Sequence, residues 1–251
     1  MPELPQYGNI NMAHGVLLIW LSESGRLTDN SILDSWIQGH LFKMNNFGFW
    51  SFTKKPTYSQ FQNGYHQYEI FDYLSIDVPK GIKASEMVAS MADAHGGFAP
   101  YPGGGGCYDY DAIHMLTRLK EANLNIYKPL LLKAAKYIII RQNSDGGFCE
   151  THDVRPRSFN NFKKVMQHIF SEQPDRYSRL RHGMTMLRPA HNRYNTHFTS
   201  YQREWSESNL WDTWFRLMAL DRIKRVLANE NKSDAGYINF PGIGFDHIAK
   251  K

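Results

Sequence analysis

The chain has 251 residues, of which 42% are hydrophobic and 14% aromatic, and it carries a net charge of +5. This length and apolar content can bury a sizeable core, which excludes a disordered chain and predicts one domain over residues 1–251. The 29 lysines and arginines are dispersed and form no basic stripe, so we expect no nucleic-acid partner.

The sequence also bears on the compartment. Two cysteines, Cys107 and Cys149, are too few for a disulfide scaffold and favour a reducing environment. The first residues lack the basic region of a signal peptide, and the longest early apolar run, 16–21, is too short to cross a bilayer. We therefore expect a cytoplasmic protein without a transmembrane segment.

Three amphipathic stretches have apolar residues at helical spacing and are followed by a glycine-aromatic group. The helices are predicted over 32–44, 84–94 and 127–142. The groups end at Phe49, Phe98 and Phe148, about fifty residues apart. Glycine stops a helix because it adopts left-handed backbone angles without a Cβ penalty.

A second motif follows these stops. It has an aromatic or small residue, a polar residue next, and apolar residues three and six positions later, which is one face of a helix. The copies begin at Ala13, Tyr68, Tyr110, Phe159 and Trp211. The polar position is then occupied by His14, Glu69, Asp111, Asn160 and Asp212. Each unit is therefore predicted to be a helical hairpin.

About five such hairpins predict an all-α fold, either an open solenoid or a closed α/α toroid. We favour the toroid because the run 16–21 is too apolar for the exposed end of a solenoid. Long connections precede the motif helices and are expected to share one face, with short connections, including 171–175, at the other end. The long connections are 50–62, 99–106, 149–157 and 189–206.

The stretch from Lys136 to Phe148, with Gln142 before the Gly-Gly-Phe group, resembles the repeat of the terpenoid cyclase and protein prenyltransferase superfamily. This resemblance implies an α/α barrel and an isoprenoid or other anionic diphosphate ligand. The family's Asp-x-Asp-Asp acid motif is matched only in part, because Ala112 follows Asp111. Its Asp-Asp-x-x-Asp magnesium motif does not occur in the sequence, and Gly105 stands where its zinc-binding Asp would precede Cys107.

Four of the five catalytic candidates are acidic, and the fifth is a histidine. Two carboxyl groups close together at low dielectric acquire different pKa values, so one can act as an acid and the other as a base. In the alternative interpretation, acids in the first turn of a helix only complement its dipole. The candidates are Asp109, Asp111, Glu69, Asp212 and His66.

The ligand-binding candidates combine arginine forks for anions with aromatic walls and polar groups for sugars. They are Arg155, Arg157, His191, Arg193, Tyr194, His197, Arg203, Trp205, Trp50 and Tyr58. Cys107, Cys149 and His152 are candidate zinc ligands, although buried inert cysteines are an alternative. The glycine run 103–106 could hold a phosphate at a helix N-terminus, or be a close-packed turn. Magnesium or zinc are the cofactors considered, and neither has a complete motif.

Three hypotheses for function follow. The first is an enzyme of the cyclase and prenyltransferase type that acts on an isoprenoid or diphosphate ligand by acid–base chemistry. The second is a lyase or hydrolase of an acidic saccharide, and the third is a non-catalytic scaffold. An isoprenoid site should be lined by Phe, Trp and aliphatic side chains, a saccharide site by Asp, His, Asn, Arg and Tyr.

Overall fold

The computed structural model describes residues 5–119, 121–154, 158–187, 193–195, 200–202 and 207–228. These residues form nine helices and one antiparallel pair of three-residue strands, so the predicted all-α class is confirmed. None of the described helices has the length and apolar character needed to span a membrane. The elements are α1 (Pro5–Glu23), α2 (Ser31–Phe42), α3 (Tyr58–Tyr73), α4 (Gly81–Ser90), α5 (Gly106–Thr117), α6 (Glu121–Ile139), α7 (Phe159–Ile169), α8 (Arg176–Leu187), β1 (Arg193–Asn195), β2 (Ser200–Gln202) and α9 (Leu210–Ala228).

The three glycine-aromatic groups form the same tight turn. In each turn a backbone N–H donates to the carbonyl four residues later, at 2.7–2.9 Å, from Asn45 to Phe49, Asp93 to Gly97 and Asn143 to Gly147. One glycine in each turn has a positive φ, namely Gly48, Gly96 and Gly146. The final phenylalanine of each group is at most 1% exposed. The repeat therefore stops a helix and anchors the following loop in the core.

The motif helices α1, α3, α5 and α9 pack side by side in a row, and we call these four the inner helices. α3 packs against α1 and α5, and α5 packs against α9. α2 packs against α1, α4 packs against α5 and α6, and α6 packs against α5 and α9. α3 and α5 are buried along most of their length, including positions occupied by polar residues. Helices covered on several sides can place acidic side chains inside the protein.

The fourth hairpin, α7–α8, departs from the predicted order. α5 and α9 pack directly on each other, so α7 does not separate them. Its loop instead reaches the ends of the other repeats, where Asp175 accepts a hydrogen bond from the Tyr58 N–H at 2.9 Å and Gln173 donates to the Ala92 carbonyl at 3.2 Å. The prediction that 171–175 lies opposite the long connections is wrong.

The reason lies in the composition of α7. Val165 and Ile169 are buried, whereas Phe159 is 80% exposed and Phe162 is 46% exposed. A helix with one narrow apolar face can cover a surface but cannot fill a position between two other helices. The weak fourth motif copy thus forms a helix, but this helix does not join the row of inner helices.

The short connections after α1, α3 and α5 contrast with the long ones, as predicted. Several boundaries differ: α3 begins at Tyr58, inside the predicted loop 50–62, and α6 begins at Glu121, six residues before the predicted start. The Thr57 side chain accepts a hydrogen bond from the Gln60 N–H at 3.2 Å. This N-cap satisfies a backbone donor that would otherwise be unpaired.

An ion-pair network closes the short-loop end of α3 and α5. Arg118 Nε lies 3.0 and 2.9 Å from the two carboxylate oxygens of Asp72, and His114 Nε2 lies 3.0 Å from one of them. Burial opposes ionisation of Asp72, but the hydrogen bonds from His114 and Arg118 hold its pKa well below the usual range. Arg118 also stacks on Tyr68, 4.6 Å from the ring centroid.

Candidate active site

Glu69 on α3 and Asp111 on α5 bring two carboxyl groups together in the interior. Glu69 is 2% exposed and Asp111 is 5% exposed. Burial, and then the charges of Glu69 and Asp109, raise the pKa of Asp111 well above its usual value. The Tyr65 hydroxyl is hydrogen-bonded to Glu69. The pair therefore combines a carboxyl whose ionisation is strongly opposed with a second carboxyl that is hydrogen-bonded to a tyrosine.

Two buried polar atoms of α3, Gln62 Nε2 and His66 Nδ1, have no hydrogen-bond partner within the described residues. Positions 62, 66 and 69 share one face of the helix. No side chain or backbone group in the described part of the chain donates to Asp111. Because buried polar groups are normally paired, this cluster indicates a place that a ligand or water completes.

Tyrosines enclose the cluster. The rings of Tyr65 and Tyr110 meet edge-on with centroids 6.0 Å apart, and those of Tyr58 and Tyr108 at 6.4 Å. Burial raises the pKa of Tyr65 well above its usual value, and it lowers the pKa of His66 to about 4. The hydroxyls and the imidazole are therefore neutral at neutral pH.

Asp109 has a different role from Asp111, two residues away. Its Oδ1 accepts a hydrogen bond from the Phe98 N–H at 3.3 Å, and its Oδ2 lies 3.7 Å from Arg216 Nε. Burial raises the pKa of Asp109 to about 7, against the lowering effect of the Arg216 charge. Asp109 thus holds the second glycine-aromatic turn against α5 and faces α9, away from Glu69.

Asp212 caps the start of α5 and holds the side chain of Asn209, the residue before α9. It accepts hydrogen bonds from the Gly106 N–H at 2.8 Å and from Asn209 Nδ2 at 2.7 Å. A Cβ on Gly106 would lie 2.9 Å from the Asp212 carbonyl oxygen, so glycine allows the close approach of α5 and α9. Arg216 donates to the carbonyl of Gly103 at 3.3 Å. The glycine run is therefore a close-packed turn. Its Gly106 N–H, which a bound phosphate would need as a donor, is already bonded to Asp212.

The predicted zinc ligands do not assemble. Cys149 Sγ lies 3.1 Å from His152 Nε2, but Cys107 does not join them, and the described chain holds no group of three His, Cys, Asp or Glu residues that could bind a metal. Burial, with Asp111 and Asp212 nearby, raises the pKa of Cys107, which opposes the thiolate a metal needs. The Cys149–His152 pair is not a nucleophile–base pair either, because the same Nε2 lies 2.9 Å from Asn143 Oδ1.

The two predicted aromatic walls are separate. Tyr58 belongs to the central cluster, and its hydroxyl donates to the Met91 carbonyl at 3.4 Å. Trp50 instead lines a cavity of about 520 Å³ beside α2, together with Trp36 and Phe52. The two side chains therefore cannot contact the same small ligand.

The remaining candidates stay predictions. Arg193 and Tyr194 lie in β1, where only the backbone is described. The others lie outside the described residues: Arg155, Arg157, His191, His197, Arg203 and Trp205. Sequence reasoning missed Gln62 and Tyr65, although a signal was present. Both lie one or two helical turns before Glu69, on or beside the same face.

A scan against protein-family models finds no match to this chain. Searches of curated proteins and of solved structures likewise return no match.

Proposed function

We propose that the protein is an enzyme that uses Asp111 as a proton donor to a hydroxylated, saccharide-like substrate in the central site. The observation that carries this proposal is a buried carboxyl with a raised pKa, beside Glu69 and without a described hydrogen-bond donor. Strongly perturbed carboxyls surrounded by unpaired polar groups are typical of acid–base sites.

The polar and aromatic groups near Glu69 and Asp111 support one substrate class. Gln62, His66 and the tyrosines offer hydrogen bonds to hydroxyl groups and flat faces to sugar rings. A hydrocarbon chain would leave these buried polar atoms unpaired, at about 1–3 kcal/mol for each group. The saccharide hypothesis therefore ranks above the isoprenoid one.

The proposed step is an elimination. Glu69 removes a proton from the carbon beside the sugar carboxyl group, and a C=C bond forms as the C–O bond to the leaving group breaks. Asp111 gives its proton to the departing oxygen. The Tyr65 hydroxyl orients Glu69 toward the substrate. All atoms come from the substrate and the two carboxyls, and no metal is required.

One observation favours the isoprenoid alternative. A neutral carboxyl within tyrosine rings could protonate an alkene, and the ring faces could stabilise the cation formed. The resemblance to the terpenoid cyclase repeat also supports the isoprenoid alternative. Within that repeat, Gln142 Nε2 donates a hydrogen bond to the Gly146 carbonyl at 2.7 Å. The same resemblance supports a closed α/α toroid with α1, α3, α5 and α9 inside, which remains a proposal.

The test is turnover of uronate-containing oligosaccharides, followed by absorbance of the new conjugated double bond. Asp111→Asn should lower kcat by at least about 100-fold, the usual contribution of a general acid. Asp77→Asn, which removes an exposed carboxyl after α3, is the matched control and should leave kcat unchanged.

The substrate panel also includes allylic diphosphates. Turnover of these alone, lost in Asp111→Asn, would replace the saccharide by an isoprenoid. Full activity of Asp111→Asn on any substrate would contradict the assigned proton donor. Absence of turnover and of ligand-induced thermal stabilisation would favour the non-catalytic scaffold.

A further inference from the structure

A second cavity of about 580 Å³ lies between α6 and the α7–α8 hairpin. Its floor includes the turn at 93–95 and the start of the glycine run at 102–103. It shares no lining residue with the cluster around Asp111. Such a volume suits a small organic molecule.

The cavity has an excess of positive charge. Its wall carries Lys133, Lys136 and Arg141 from the α6 side and Lys164 from α7, against two aspartates. Asp153 is occupied, because its carboxylate lies 2.8 Å from Arg141 and 2.5 Å from Lys164. The other carboxylate, at position 93, accepts the N–H groups of His95 and Gly97.

Lys133 and Lys136 are the available cations. They lie one turn apart on α6 and are exposed along the cavity. Neither forms an ion pair with any carboxylate of the described chain. Two lysines on one helix face can bind the same anionic group, because each ammonium has three donors.

His168 provides an independent observation. It is 8% exposed and lines the cavity, and its Nε2 is buried without a hydrogen-bond partner among the described residues. Burial lowers its pKa to about 4, while a hydrogen bond to the Ala99 backbone acts in the other direction. Nδ1 makes the bond to Ala99, so Nε2 of the neutral ring carries no proton. Nε2 can therefore accept a hydrogen bond from a ligand hydroxyl.

We propose that this cavity binds a small organic anion that carries a phosphate or carboxylate group together with hydroxyl groups. Lys133 and Lys136 bind the anionic group, and His168 accepts a hydrogen bond from a hydroxyl. The ligand contacts α6 and the hairpin at once. Binding therefore fixes α7–α8 over the ends of the inner helices, where Asp175 already holds the start of α3.

The experiment is isothermal titration calorimetry of the full chain with glucose 6-phosphate, glucuronate, sulfate and neutral glucose. The first two distinguish a phosphate from a carboxylate as the anionic group. The double substitution Lys133→Gln with Lys136→Gln should weaken binding of the preferred anion at least about tenfold, and glucose should not bind. The matched control changes Lys83 and Lys163, which are exposed outside the cavity, to Gln and should bind normally.

A second variant tests the hydroxyl contact. His168→Leu should weaken binding of the sugar anion and leave sulfate binding unchanged, because sulfate has no hydroxyl to donate. An equal loss for both, or a Kd above about 1 mM for every anion, would overturn the proposal. Equal weakening in the control would also overturn it. Asp111→Asn should keep anion binding, so this result is independent of the proposed activity.

Discussion

The short-loop end of α3 and α5 and the central cluster hold carboxyl groups in opposite ways. At the short-loop end Asp72 is held by Arg118 and His114, and its pKa is lowered. In the central cluster Asp111 has no described donor and faces Glu69, and its pKa is raised. The first arrangement stabilises the fold through its ionised form. The second resists ionisation, which costs stability and provides a proton donor.

The largest expected effect is at the short-loop end. Asp72→Ala leaves Arg118, whose side chain is 10% exposed, without its partner, and should lower the free energy of unfolding by about 3 kcal/mol. Urea unfolding gives this value. Asp77→Ala, at an exposed position, should change it by less than about 0.5 kcal/mol. Equal effects of the two substitutions would show that the network contributes little.

The pH dependence of stability should separate the two aspartates. A folded-state pKa above the unfolded value means that the folded protein binds more protons, so Asp111 makes stability fall as pH rises from about 4 toward its folded pKa. Asp111→Asn should remove that loss, by up to about 1.4 kcal/mol for each pH unit in this window. For Asp72 the sign is reversed, and its contribution is lost only as pH falls below about 4.

Urea midpoints of wild type and Asp111→Asn, measured between about pH 4 and pH 8, test this prediction. The difference in free energy should widen in favour of the variant as pH increases. A difference that does not change with pH would mean that Asp111 has an ordinary pKa, and it would remove the basis for its proposed role.

The smallest effect compares two glutamines of α3. Gln67 is 3% exposed and its Nε2 donates to the Gly8 carbonyl at 3.3 Å, whereas Gln62 Nε2 is buried and unpaired in the described structure. Gln67→Leu should cost about 1 kcal/mol, and Gln62→Leu should be neutral or slightly stabilising. Under the proposed function, Gln62→Leu should instead raise the KM for the saccharide. A stability loss in Gln62→Leu as large as in Gln67→Leu would contradict this reading of the cluster.

Periodicity predicted much of the fold. The three glycine-aromatic groups were found from spacing alone, because a helix stop needs a residue that tolerates positive φ and the following phenylalanine needs a core. Asp111 and Glu69 were likewise predicted, since each occupies the polar position of a motif helix. These features depend on local backbone geometry and on which face of a helix a residue occupies, and both are encoded within a few residues.

Packing between distant segments decided the rest. Asp109 and Asp111 are both acids in one helix start, yet one meets Arg216 from α9 and the other meets Glu69 from α3. The hairpin α7–α8 lies over the ends of the inner helices because its single apolar face cannot fill a gap between α5 and α9. Spacing along the chain gives the face of a helix. The partner on that face, and with it the pKa of a carboxyl, depends on residues that are distant in sequence, such as Arg216 for Asp109 and Glu69 for Asp111.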